Sequence, residues 1–207
     1  MITIKNQYLT VQISTLGGEL QSIKDSSGRE YLWQGDPAFW GRRAPNLFPY
    51  TGRTTDGKCT YRGQEYPLPK HGFVMSREMT VERAEEQSCT LLLRSDQETL
   101  RMFPFEFAFR IHYSLEGSSL ACRYHVTNFT DYTMYFGLGA HPAFAVDADK
   151  FSGYSLKFLS DETPLKVALS DDGYVLKDRT PYPLENGVLP LGCYPFEDSL
   201  AFTSMPK

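Results

Sequence analysis

Three arginines, four histidines and two carboxylates near the C-terminus are the residues of this chain that could do chemistry. Arg42, Arg43 and Arg53 bracket an apolar run in RRAPNLFPYTGR. His71 stands in PLPKHGFVMSREM and His141 in YFGLGAHPAFAV. A histidine followed by glycine or proline in a loop is seldom there for packing. Imidazole is the side chain whose ordinary titration spans neutral pH, so it can hold a proton and give it up. Guanidinium groups donate to hydroxyls, and aromatic rings stack on the apolar faces of sugars. Taken singly, each histidine reads as a satisfied structural imidazole. Taken together with Arg53 and the surrounding rings, His71 and His141 describe a polar pocket suited to a sugar. His112 and His125 sit at alternate positions of a strand pattern. His112 reads as a half-exposed strand residue, and His125 could line a concave sheet face.

The elements that must position these groups are strands. Proline fixes its own φ and removes a donor, so Pro45 and Pro49 argue against a helix or a central strand and make 42–53 an ordered extended loop. Ile2, Ile4, Leu9, Val11 and Ile13 alternate with polar residues around a turn at Asn6-Gln7, a hairpin pattern. Gly17-Gly18 ends it, and Leu20 to Ile23 begins another strand. Residues 88–94, SCTLLLR, form a strand after VERAEEQ. The clearest unit is FEFAFRIHYSL-EGSS-LACRYHVTNF. Phe105, Phe107, Phe109, Ile111, Tyr113 and Leu115 share one face of its first arm, and Leu120, Cys122, Tyr124 and Val126 one face of its second. Pairing Leu115 with Leu120 sets His112 opposite Arg123 and Arg110 opposite His125. Residues 160–195 read as loops and short strands. There is no repeat and no linker, so the chain is expected to be one all-β domain over 1–207, a large antiparallel β-sandwich.

The totals exclude several functions. The 207 residues, 41% hydrophobic and 14% aromatic, can fill a core of that size. A net charge of −4 offers nothing to nucleic acid or to an acidic membrane. No apolar run approaches a membrane span, and the N-terminus alternates like a strand rather than a signal peptide, which points to the cytoplasm. Cys59, Cys89, Cys122 and Cys193 are scattered without a CxxC, so free thiols are expected and a zinc site is not.

"APNLFPYTGR", "KHGF" and "GAHPAF", in this order and at these spacings, together with "FEDSLAF" near the C-terminus, resemble the aldose 1-epimerase (galactose mutarotase-like) family, in its LacX-like branch. The resemblance runs from Met1 nearly to the end. It implies a large antiparallel β-sandwich that interconverts the α and β anomers of a free aldose without any cofactor. It implies that His141 is the general acid and that His71 is a second histidine at the ring oxygen. Arg53 would clamp hydroxyls, and Asp198 would accept hydrogen bonds from them. The other reading of Asp198 is a turn acid beside Glu197. Arg42 and Arg43 are expected to be surface or supporting charges.

The family's general base is a glutamate in a motif of the Glu-Pro-Trp type. These 207 residues contain no Glu-Pro step, and both tryptophans, Trp33 and Trp40, come early. The base is therefore expected beyond Lys207, with the chain an incomplete member. The alternatives are a catalytically silent carbohydrate-binding homologue and, third, an enzyme of hexose phosphates using Arg42, Arg43 and Lys70.

Overall fold

The computed structural model of the protein describes residues 1–159, 163–170, 172, 174–191 and 201–203. Two compact units make up the chain, Met1–Ala145 and Val146–Lys207. In the first, β1 (Ile2–Lys5), β2 (Leu9–Ile13) and β3 (Leu20–Asp25) form an antiparallel sheet in that order. The Asn6 carboxamide makes its first turn by accepting from the N–H groups of Tyr8 (2.9 Å) and Leu9 (2.8 Å). Then come the two-residue β4 (Asn46–Leu47) and a hairpin of β5 (Lys58–Tyr61) and β6 (Gln64–Pro67). β7 (Thr80–Ala84), β8 (Ser88–Arg94), β9 (Phe107–Glu116) and β10 (Ser119–Asn128) form a four-stranded antiparallel sheet in the order β10-β9-β8-β7. A six-residue helix, α1 (Gln97–Met102), links β8 to β9 behind an Asp96 cap. β11 (Gly139–Ala140) pairs with β4.

The long hairpin has the expected register. Leu115 faces Leu120, His112 faces Arg123 and Arg110 faces His125. Its first arm is buried at every second residue from Phe105 to Leu115. Side chains alternate across a strand, so these residues form one face of the sheet. One core cluster joins them to Ile4, Val11 and Ile13 from the three-stranded sheet, and this makes the two sheets a sandwich. Each fully buried Phe, Ile or Leu contributes roughly 1.5–3 kcal/mol, so this cluster is the main source of stability in the unit. β7 was not expected from the sequence: every one of its residues is exposed, so it shows no alternation.

The second unit holds β12 (Ser155–Lys157), β13 (Leu165–Leu169), β14 (Val175–Pro181), β15 (Val188–Pro190) and β16 (Ala201–Thr203). β12 pairs with β15, and a three-stranded sheet runs β14-β13-β16. All named pairings are antiparallel, as the sequence implied. No helix among the described residues is long and apolar enough to cross a membrane.

The tightest backbone approach in the first unit is at Gly72. Its φ is +74°, and a Cβ there would lie 2.2 Å from the Phe48 carbonyl oxygen. Gly117, in the β9–β10 turn, has φ +59° but open space around it. Gly117→Ala should therefore cost about 1 kcal/mol, the penalty of left-handed backbone alone. Gly72→Ala adds a clash with backbone and should cost at least ~3 kcal/mol. Urea melts of the two variants check this, and equal costs would show that the Phe48–Gly72 contact yields easily.

Candidate functional site

Residues 42–53 are held in place by the polar side chains of Glu19, Arg42, Arg43 and Asn46. Glu19 accepts at one carboxylate oxygen from the backbone N–H of Arg43 (2.8 Å) and of Ala44 (3.0 Å). Its other oxygen pairs with Arg42 at 3.6 Å. Arg42 also donates to the Met75 carbonyl (3.0 Å), and Arg43 donates to Gln21 Oε1 (2.8 Å). Both arginines are thus supports of the loop. Asn46, almost fully buried, donates to the carbonyls of Gly17 and Gly18, each at 3.0 Å, and accepts from the Tyr124 hydroxyl at 2.5 Å. Phe48 then drives into the core and stacks on Phe109, with ring centroids 4.7 Å apart and planes 8° from parallel.

The loop is hydrogen-bonded along both edges. On one side Gly137 N–H donates to Pro49 O (2.7 Å) and His141 N–H to Pro45 O (3.1 Å), while Gly139 and Ala140 pair with Leu47 and Asn46. On the other side Phe73 and Val74 both donate to Phe48 O, at 3.0 and 3.2 Å, and His71 N–H donates to Gly52 O at 2.7 Å. The peptide between Phe48 and Pro49 is cis. The sequence reading of an ordered extended loop holds. The KHGF and GAHP segments are its two neighbours, and each carries a histidine.

His71 has a left-handed backbone, φ +66°, which turns its ring back onto Gly52. The Gly52 N–H donates to His71 Nδ1 at 3.0 Å. A neutral imidazole has one donor and one acceptor nitrogen, so this bond assigns the proton to Nε2. Burial, with smaller contributions from Lys70 and His141, lowers the pKa of His71 below its ordinary value. Both effects favour the neutral ring, which offers one N–H donor outward. His141 lies beside it, with ring centroids 6.0 Å apart and planes nearly perpendicular. The His141 ring is exposed, and it leans on Trp40 at 5.0 Å with planes 35° apart.

The two sequence-predicted histidines therefore meet. Arg53 follows directly on Gly52, the residue clamped to His71, and is exposed. Asp198 and Glu197 lie outside the described residues. His112 is tied to Thr90 Oγ1 at 2.9 Å on the polar face of the four-stranded sheet, and His125 is exposed opposite Arg110. Neither borders the loop pairing. Trp40 was missed: it is 101 positions from His141, and no local pattern links them. A cavity of about 520 Å³ lies on another flank of the loop, where Pro49, Tyr50 and Thr51 join Phe103, Phe105 and Phe136. It is apolar and no histidine lines it. Among the described residues no cluster of His, Cys, Asp or Glu could hold a metal ion. What the arrangement offers is a neutral donor and an accessible imidazole a few ångströms apart, able to grip an oxygen and exchange a proton with it.

Known proteins share this arrangement of strands. Residues 1–173 match the aldose 1-epimerase family. The plasmid and chromosomal LacX proteins of Lactococcus lactis subsp. lactis are each 42% identical to the chain over 196 residues, covering 89% of this chain and 65% of theirs. The chain thus spans just under two thirds of the length of these curated relatives. The X-ray structure of a galactose mutarotase related enzyme from Lactobacillus acidophilus is similar with a TM-score of 0.89 at 34% identity, over 97% of this chain and 68% of that one. A galactose mutarotase-like protein from Lactobacillus casei ATCC 334 gives 0.86 at 33% identity, over 92% and 67%. The antiparallel sandwich, the doubly paired loop and the match over residues 1–173 agree, and the chain belongs to the aldose 1-epimerase family.

Proposed function

We propose that these 207 residues carry the acid and sugar-binding groups of a site for interconverting the anomers of a free aldose. The observation that supports this is the pair of imidazoles 6.0 Å apart in different environments. His71, locked as a neutral Nε2–H donor, binds the region of the ring oxygen. His141, exposed, is the acid. In the forward step a base takes the C1 hydroxyl proton, the bond from C1 to the ring oxygen breaks, and His141 delivers a proton to that oxygen. The open-chain aldehyde turns about C1–C2 and closes from its other face, the ring-oxygen proton returning to His141 while the base returns its proton to the new C1 hydroxyl. Arg53 and Asp198 hold hydroxyls so that the ring stays in place while C1 turns.

The base is the remaining requirement. No glutamate among these residues stands in the motif that the family uses, and partners in acid–base catalysis act as a unit. The 207-residue chain is therefore expected to bind galactose or glucose weakly and to catalyse mutarotation no faster than buffer. Polarimetry on fresh α-D-galactose, with and without the chain, tests the rate. Calorimetric or NMR titration tests the binding, and Arg53→Ala should weaken it about tenfold or more, as expected for losing hydrogen bonds from a charged donor. Binding unchanged in both Arg53→Ala and His71→Ala would sink the assignment of this site.

His71 also sets a pH dependence. Its folded pKa lies below the ordinary value of 6.5, so the unfolded chain binds more protons than the folded one just below pH 6.5. Its contribution to stability is complete above pH 6.5 and is lost as pH falls from there through the folded pKa. The protonated ring would also turn an Nδ1–H against the Gly52 N–H. NMR titration of the His71 ring should give a midpoint below 6.5, and His71→Gln should flatten that limb of the stability curve. A midpoint at or above 6.5 would mean that the His71 ring is not held half-buried against Gly52 in solution.

A further inference from the structure

We propose that Trp40 is a positioning residue for His141, setting the plane of an imidazole that no hydrogen bond among the described residues orients. The inference rests on the reading of His141 as the acid. A histidine that moves protons is ordinarily aimed by a hydrogen bond from its second nitrogen to a carboxylate or carbonyl, which fixes both tautomer and ring angle. Among the described residues neither ring nitrogen of His141 has such a partner. Its backbone is fixed by the N–H bond to Pro45 O, but that bond leaves the side-chain torsions open. What constrains the ring is contact: the Trp40 indole at 5.0 Å and 35°, and the edge of His71 at 6.0 Å and 77°. Ring pairs in this range of separation and tilt attract each other beyond the area they bury, which biases the His141 ring toward one plane.

The backbone of Trp40 is firmly placed. Its N–H donates to Asp36 O at 2.8 Å, and its carbonyl accepts from the Trp33 indole N–H at 2.8 Å. The Asp36 side chain closes the same turn by accepting from Ala38 N–H at 2.9 Å. Trp33 N–H in turn donates to the Ala143 carbonyl at 3.0 Å, two residues past His141. Residues 33–40 and 141–143 are therefore one braced assembly. A tryptophan kept only for packing would bury its ring in the core cluster, and Trp40 is absent from that cluster.

The stack can be read without any sugar or activity. In a Trp33→Phe background Trp40 is the only indole. An imidazolium in contact with an indole quenches its emission, so fluorescence followed from pH 5 to 8 should show a step that disappears when His141→Asn is added. A pH profile identical with and without His141→Asn overturns the proposal. The second arm separates positioning from mere support. Trp40→Ala should abolish the upfield ring-current shift of the His141 ring protons and leave the His71 titration and the Arg53-dependent sugar affinity in place. Trp40→Phe should restore part of that shift. If Trp40→Ala does not fold, the Trp40→Phe and Trp33→Phe proteins still decide the matter. An unchanged His141 ring spectrum in Trp40→Phe, with no His141-dependent step in Trp33→Phe, rejects the inference. Absence of sugar binding with the step present would instead reject the reading of the site as a sugar site and leave the stack standing.

Discussion

Residues 45–52 must be paired along both edges while carrying two prolines that cannot donate, and the rest of the site depends on how this is met. Pro45 and Pro49 contribute only carbonyls, so the neighbours have to bring the N–H groups. His141 and Gly137 supply them on one edge. On the other edge the Phe48 carbonyl takes both Phe73 and Val74 and leaves room for no side chain at residue 72. The histidines are where they are because their own backbone amides satisfy this loop. His141 donates to Pro45 and His71 donates to Gly52. The two residues of the proposed site are thus the same two that satisfy the loop's backbone.

The two imidazoles have different surroundings, and the proposed division of labour rests on that difference. His71 is half-buried, accepts a backbone N–H at Nδ1 and sits beside Lys70, all of which disfavour a second proton. A ring held neutral is a dependable donor whose hydrogen does not leave. His141 stands exposed, against rings rather than polar partners. In the proposed reaction, acid and donor roles follow from environment rather than residue type, so two like side chains would take different parts.

Much of the fold could be read in advance where one face is buried and the other wet. Phe107 to Leu115 repeats with period two over a whole strand, so even the cross-strand partners of the hairpin followed from its turn. The extended course of residues 42–53 and the histidines on either side were legible as motifs, whereas the paired strand β4 between the prolines was not, because prolines argue against a strand. Other parts gave no signal. β7 is exposed along its whole length and so has no hydrophobic period. α1 is shorter than two turns, and its cap at Asp96 stands before residues with no apolar stripe. The β5–β6 turn uses Arg62 at φ +50° before Gly63, a pair that does not announce a hairpin. The contact of Trp40 with His141 is purely tertiary, and only coordinates reveal it. Asp198 belongs to residues that the structure does not describe, and its role rests on the motif alone.

The double edge pairing of the loop has a consequence for how the polypeptide assembles. The long hairpin closes through a two-residue turn, so it can form early and locally. The loop is different: its partners lie about 25 residues downstream on one edge and about 90 on the other. Closing contacts of such separation is slow, because chain entropy is lost before the contacts repay it. During synthesis the ribosome releases Phe48 long before His141, and the carbonyls of Pro45 and Pro49 wait for amides that do not yet exist. Of the two imidazoles at the loop, His141 thus arrives second. The event that brings it is the one that seals the second edge of the loop, so the nascent chain acquires this imidazole and the closed loop together.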